Sequence, residues 1–285
     1  MKPFQTLDEL AALLVERGLI VEDLDQVKRT LHDCNYYRLS GYFRQFQVNP
    51  SAGDDRFQDG STFADVKSTM DQDYALRALL QEALTMIELS VRSRFAHEAG
   101  RTHGDRAFYL DRDCYISQTP DLDALILSIE RDLRRTTSKT VRRYSPEGTF
   151  ENVPIWVGIE VMSFGAAAKM IQYLADSEPA KRMANSYSLP WEGFQSILHS
   201  FAVLRNRCAH HGQVWHRRLD IQCPVQKKLR RGEPDHDPQG PYAAIISLKR
   251  FMRALDTQST WGVRVSEFLD AGPAFKDGIL RPFAR

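Results

Sequence analysis

The chain has 285 residues, with 38 Lys/Arg against 37 Asp/Glu for a net charge of +1; 42% of its residues are hydrophobic and 26% charged. That length buries a full core, and the balance excludes both a disordered polyelectrolyte and a uniformly basic nucleic-acid coat. The closest approach to a membrane span, residues 155–168, is too short and contains Glu160, and the four cysteines (34, 114, 208 and 223) lack CxxC spacing. The expectation is therefore a soluble, cytoplasmic chain with reduced thiols and no membrane partner. The opening residues carry charges through their apolar positions and do not read as a secretory signal.

In chain order the elements are helical. Thr6 to Glu9 is a capping-box pattern opening a helix to about Arg17, ended by Gly18. A second helix runs from about Glu22 to Cys34. Asn35-Tyr36-Tyr37-Arg38-Leu39-Ser40-Gly41-Tyr42-Phe43 follows as a turn and a short helix, and residues 50–60 read as a loop. Residues 1–55 thus form a small helical appendage and residues 56–285 a helical bundle. The ring cluster Tyr36, Tyr37, Tyr42 and Phe43 suits a seam between appendage and bundle, or stacking on bases; the seam is the commoner use.

Thr62 and Asp65 cap a long helix in which Phe63, Val66, Met70, Tyr74, Leu80, Leu84, Ile87, Val91 and Phe95 recur at threes and fours to about Ala99. Thr119-Pro120 starts another, with Leu122, Leu125, Ile126, Ile129 and Leu133 on its core face. Residues 138–152 read as a polar loop. Pro154 begins an apolar helix to about Ala175, bent at Gly165, and Pro190 begins the next. Residues 232–241 are broken by glycine and proline, Tyr242 to Leu255 is helical, and the stretch from Trp261 onward has no clear pattern. Period-two alternation is missing throughout, so the fold class is all-α, a helical bundle.

The most informative segment is Leu204-Arg205-Asn206-Arg207-Cys208-Ala209-His210-His211-Gly212. It brings a permanent cation, an amide and two imidazoles within two helical turns. Arginine clamps phosphate oxygens and histidine moves protons near neutral pH. Those abilities suffice to cut RNA without a metal, because the 2′-OH beside the scissile phosphate is the nucleophile. In that scheme His210 transfers the proton, Arg205 stabilises the phosphorane-like charge, Asn206 positions the phosphate, and His211 is a second proton carrier or a surface residue. The products are a 2′,3′-cyclic phosphate and a 5′-OH. Asn206 and His210 share a helix face, whereas Arg205 and His210 stand roughly 140° apart on an unbroken helix. Gly212 is placed as the helix stop, and fraying near His210 would let the imidazole swing toward Arg205.

Residues 205–231 hold eight Lys/Arg (Arg205, Arg207, Arg217, Arg218, Lys227, Lys228, Arg230, Arg231) against one acid, Asp220. A second strip, residues 131–143, holds six against Asp132. On a neutral chain these look like tracks for a phosphate backbone; either strip alone reads rather as a solvated helix face, and the adjacent Arg-Asn-His cluster tips the later one toward phosphate binding. Glu160 lies inside an apolar run and needs a partner if buried, with Arg92 and Arg205 the candidates, so it is a candidate supporting residue, as are Glu88 and Arg92. Residues 91–97 echo residues 204–210, each with Arg, four residues, then His; pairing of Arg92 with Glu88 four residues earlier is the structural alternative. Cys208, His210, His211, His216 and Cys223 include zinc-ligand types, but no CxxC or HxxxH pair anchors them, and no metal or cofactor is expected. Walker, GxGxxG, GxSxG and HExxH patterns are missing.

Four places, Asn35 to Tyr42, Ile87-Glu88 with Arg92, Pro154-Ile155-Trp156 through Gly165, and Leu204-Arg205-Asn206 through His211 with Trp215, resemble the bacterial abortive-infection family of the AbiD/AbiF type. That family is similar to the HEPN superfamily, all-helical and metal-independent ribonucleases marked by RxxxxH that often act as dimers. The resemblance implies phage defence or toxin-like RNA cleavage by Arg205, Asn206 and His210, RNA as partner, and a homodimer. His216 stands where the family usually has Asn, and His97 is not carried over. The alternative is a non-catalytic RNA-binding protein that regulates, or is regulated by, a structured RNA. A third reading is a zinc-stabilised interaction module.

Overall fold

The computed structural model describes residues 3–116 and 119–282, and among these the regular structure is helix apart from one two-stranded hairpin. The fold is all-α, as the periodicity requires. No helix among the described residues is long and apolar enough to cross a membrane. The chain divides into two compact units, Met1–Arg77 and Ala78–Arg285.

The first unit holds α1 (Leu7–Glu16), α2 (Leu24–Cys34), α3 (Tyr36–Phe43), β1 (Gln47–Asn49), β2 (Asp54–Phe57) and the start of α4 (Phe63–His103). The capping box is formed: Glu9 N donates to Thr6 Oγ1 at 3.2 Å and Thr6 N to Glu9 Oε2 at 2.7 Å. Part of the expected loop 50–60 is instead β2, paired antiparallel with β1. Strands of three and four residues are too short for alternation to be legible, and the turn is made locally by Asn49 accepting from Ala52 N and by Gly53 at φ 84°. The ring cluster packs within this unit. Tyr42 and Phe43 are buried, Phe43 meets Phe57 of β2 at 5.5 Å, Tyr36 accepts from Arg17, and Tyr37 is exposed.

One polar group anchors this core. Asp73 of α4 is fully buried, accepts from the Tyr42 hydroxyl at 2.6 Å, and is ion-paired with buried Arg77 one turn later. Burial, then the Asp73 charge, pushes the Tyr42 phenol far above its ordinary range, so it stays a donor.

The second unit takes α4 onward from Ala78, where Leu80, Leu84, Ile87, Val91 and Phe95 form a fully buried stripe. It continues with α5 (Pro120–Arg135), α6 (Lys139–Tyr144), α7 (Ile155–Gly158), α8 (Phe164–Tyr173), α9 (Glu178–Ser186), α10 (Phe194–Ala209), α11 (Pro241–Leu255), α12 (Trp261–Asp270) and α13 (Pro273–Leu280). α10 packs against α8 and α11, with Phe201 and Phe251 at 5.2 Å. Trp261, buried, donates its indole N–H to Leu79 O at 2.9 Å.

Three expectations are corrected here, and one stretch without a clear pattern is resolved. The helix expected from Pro154 to Ala175 is two helices, and the break is not at Gly165. A Cβ on Gly158 would collide with the Tyr109 hydroxyl, which donates to Val153 O at 2.9 Å, so α7 is a single turn against that ring. Ser163 then caps α8 by accepting from Ala166 N. The polar stretch 138–152 contains α6, capped by Ser138. α10 starts at Phe194 rather than near Pro190, because Gly193 at φ 77° turns the chain into it. The stretch after Trp261 forms α12 and α13.

Replacing Asp73 with Ala leaves Arg77 buried without its carboxylate, an expected loss of about 3–5 kcal/mol, against about 1 kcal/mol for Tyr42→Phe. Urea midpoints of the two variants and wild type, at equal m-value, check that order.

Candidate functional site

The site is assembled on one carboxylate. Glu88 sits on the buried face of α4, and its two oxygens are taken by two arginines. Oε1 pairs with Arg92 one turn later on the same helix. Oε2 accepts from Arg205 Nε of α10 at 3.0 Å. Arg92, itself buried, also donates to the Ile159 carbonyl just beyond α7. The Arg92–Glu88 pairing is the one the i,i+4 spacing predicts. The two arginines of the 91–97 and 204–210 echo therefore do not build two equal sites; they meet on the same acid.

Arg205 differs from Arg92 in exposure: a third of its side chain reaches solvent. Two of the five N–H donors of a guanidinium are used, by Glu88 and by Asn206 Oδ1 at 3.3 Å. The other three have no hydrogen-bond partner among the described residues. Glu88 thus fixes the guanidinium while leaving most of its donor edge available.

The end of α10 is closed rather than frayed. His210 N donates to Asn206 O at 2.9 Å, His211 N to Cys208 O at 3.1 Å, and Gly212 N to Arg207 O at 2.7 Å. The last two bonds are those of a Schellman motif, with His211 in the left-handed conformation at φ 57°. Gly212 is needed for a different reason from the one expected. A Cβ there would lie 3.0 Å from Arg207 Cγ and 3.2 Å from its carbonyl oxygen. The His210 ring is exposed, and no hydrogen bond joins it to Arg205. The helical offset between the two is kept, so the expected swing of His210 toward Arg205 does not occur within one chain.

Glu160 is exposed, not buried, and pairs with neither arginine. α7 turns Ile155, Val157, Gly158 and Ile159 inward, which leaves Trp156 and Glu160, four apart, facing out. Both line a groove with His97. Glu88 does the work assigned to Glu160. Its link to Arg92 is legible in the sequence, but its link to Arg205 spans 117 positions and has no local signal.

The later basic strip is partly neutralised. Arg207 bonds to Arg218 O at 2.9 Å and pairs with Asp220, Arg218 pairs with Asp237 at 2.7 Å, and Arg217 bonds to Gln213 Oε1. Lys227, Lys228, Arg230 and Arg231 are exposed and carry no ion pair among the described residues. The six basic residues of 131–143, at the end of α5 and in α6, are likewise exposed and unpaired with acids, with Arg134 over the Phe150 ring at 5.5 Å.

The residues considered for zinc are dispersed. Cys208, His216 and Cys223 are buried while His210 and His211 face solvent. Among the described residues no group of three or more His, Cys, Asp or Glu is placed to hold a metal. His216 is a core residue at φ 53°, donating its backbone N–H to Gly278 O at 3.1 Å. A Cβ on Gly278 would come within 2.8 Å of its ring. Burial pulls the His216 pKa down to about 4.

Two outcomes are expected. Replacing Glu88 with Ala strands two guanidiniums, one of them buried, and should cost about 3–5 kcal/mol in chemical denaturation, whereas Glu88→Gln keeps the shape and costs less. For His216, the unfolded imidazole binds a proton near pH 6.5, which the folded one refuses until about pH 4. Stability is therefore full above pH 6.5 and falls as pH drops toward 4. His216→Asn, which tolerates the left-handed backbone, should flatten that slope in denaturation curves measured across the window. A residual slope from His103 and His199, both lowered by burial, should remain.

No curated protein matches the chain, and no solved structure matches it. A family model described as Abi-like protein matches residues 29–216, about two thirds of the chain. That span contains the Tyr42 to Arg77 cluster, the Glu88–Arg92–Arg205 centre, the outward pair Trp156 and Glu160, and the closed end of α10. The chain belongs to the Abi-like protein family, an abortive-infection family.

Proposed function

We propose that the chain is a metal-independent endoribonuclease of the HEPN type, acting in the cytoplasm in phage abortive infection or as a toxin, with Arg205, Asn206 and His210 as its working groups. The observation that carries this reading is Arg205: a guanidinium locked by Glu88, with most of its donors open, beside an amide and one turn from an exposed imidazole. Fixing the side chain removes the rotamer entropy a free arginine would lose on clamping a phosphate. His210 takes the 2′-OH proton or returns one to the 5′-oxygen. Arg205 stabilises the equatorial oxygens as charge builds, and Asn206, whose Oδ1 already accepts from Arg205, holds a phosphate or hydroxyl with its amide N–H. His211 stands beside them as a second proton carrier. The exposed cations Lys227, Lys228, Arg230 and Arg231 serve the strand on either side. Because the two key side chains keep their helical offset, a homodimer in which one copy's Arg205 faces the other's His210 completes the constellation.

The reading is tested with end-labelled RNA in EDTA. Wild type is expected to leave cyclic-phosphate ends, and His210→Ala to be slower by about 10²–10⁴-fold with RNA binding retained. Binding without cleavage by wild type refutes the nuclease and leaves the alternative, an RNA-binding protein that regulates or is regulated by a structured RNA.

A further inference from the structure

Further along α4 from Glu88 lies a groove of about 500 Å³, walled by Ser93, His97 and Arg101 on one stripe of that helix and by Trp156 and Glu160 beyond it. Ala96 and Gly100 line it too, and Gly100 lets the Trp156 indole approach: a Cβ at that position would lie 3.2 Å from the ring. Trp156 is 44% exposed, while Trp215 and Trp261 are buried. An indole held against a glycine, with its outer surface left to solvent, is a stacking platform. Glu160 and His97 are exposed, and the Arg101 side chain is 63% exposed although it pairs with Glu98. The groove is tied to the reaction centre, because the carbonyl of Ile159, immediately before Glu160, is held by Arg92, and Arg92 is held by Glu88.

We infer that this groove is a base-recognition subsite for an unpaired guanine next to the scissile phosphate. The inference rests on the nuclease reading and names the specificity of that site. The base stacks on Trp156, its Watson–Crick edge meets Glu160, and Arg101 and His97 take the sugar or phosphate side. A carboxylate only accepts hydrogen bonds. Guanine alone among the four bases offers two adjacent donors, N1–H and the exocyclic N2–H, to match its two oxygens. Adenine and cytosine place an acceptor beside their amino group, and uracil flanks its single N–H with two carbonyls. Each of these three therefore sets a lone pair against the carboxylate. Unpaired bases are read in this way, by stacking plus edge contacts.

The test titrates the four nucleoside 5′-monophosphates into full-length wild type, Trp156→Ala, Trp156→Phe and Glu160→Gln, with thermal unfolding as the fold control. Wild type is expected to favour guanosine monophosphate by about tenfold. Glu160→Gln should erase that preference, weakening guanosine monophosphate and relieving the lone-pair clash of the other three. Trp156→Ala should weaken all four by about tenfold, and Trp156→Phe should restore most of the loss. Equal binding of the four nucleotides, or a preference that survives Glu160→Gln, overturns the subsite. If RNA is cleaved while no Glu160-dependent preference exists, the subsite falls and the nuclease stands. If the preference is present while RNA is not cleaved, the base pocket stands and the nuclease falls.

Discussion

The second unit is organised around a buried carboxylate shared by two guanidiniums. Glu88 takes Arg92 from its own helix and Arg205 from α10. Desolvating such a triad is costly, and a plain apolar contact between α4 and α10 would serve stability as well. What the ion pair adds is position. It fixes where α10 places its polar face and holds the partly exposed Arg205 guanidinium by its Nε edge. Arg92 extends the same network to the Ile159 carbonyl, so the short turn that carries Trp156 and Glu160 is set by the charge that orients Arg205. Three segments far apart in sequence thus take their geometry from one side chain.

Much of this was legible in the sequence, and the reasons for success and failure differ by element. α4 and α5 announce themselves because their apolar residues repeat at helical spacing over many turns, and α1 because its capping box is local. The break between α7 and α8 was not legible: it depends on the Tyr109 ring occupying the space beside Gly158, and a contact 49 positions away leaves no periodic trace. The hairpin is invisible because its strands are too short to alternate. At the site, the spacing of Arg205, Asn206 and His210 gives their relative directions on a helix. Glu88 was identifiable as the partner of Arg92 from i,i+4 geometry, yet its second arginine was not. An acid in an apolar run suggests burial for Glu160, whereas a single helical turn buries only part of its circumference and leaves it exposed.

Charge is distributed by the same logic of distance. The strip 205–231 looks uniformly basic because only Asp220 lies within it, but Asp237 reaches back to Arg218. Arg207 and Arg218 therefore shape the chain that follows α10, and the exposed cations left on this strip are Lys227, Lys228, Arg230 and Arg231. The strip 131–143, which has one acid of its own, keeps all its cations exposed, since Asp132 bonds instead to the backbone N–H of Ser163 at 2.9 Å. A count of charges along a sequence puts the later strip first, eight cations against six; ion pairing and burial in space reverse the order, four exposed against six.

The end of α10 decides how the two side chains proposed for catalysis, Arg205 and His210, can cooperate. If the last turn were loose, His210 could rotate toward Arg205 and one chain would be enough. Three backbone hydrogen bonds close that turn, and the left-handed His211 sends the chain away at a fixed angle. A larger residue at position 212 would crowd Arg207, whose side chain is tied to the Arg218 carbonyl and Asp220, so the closure is braced from the following loop as well. Arg205 is held by Glu88 and His210 by the helix end, by separate devices and in different directions. A phosphate contacting both must therefore either wrap around the end of α10 or receive the imidazole of a second copy. The second route keeps both groups rigid and asks no distortion of the strand, and this is the physical ground for placing the homodimer inside the proposed mechanism.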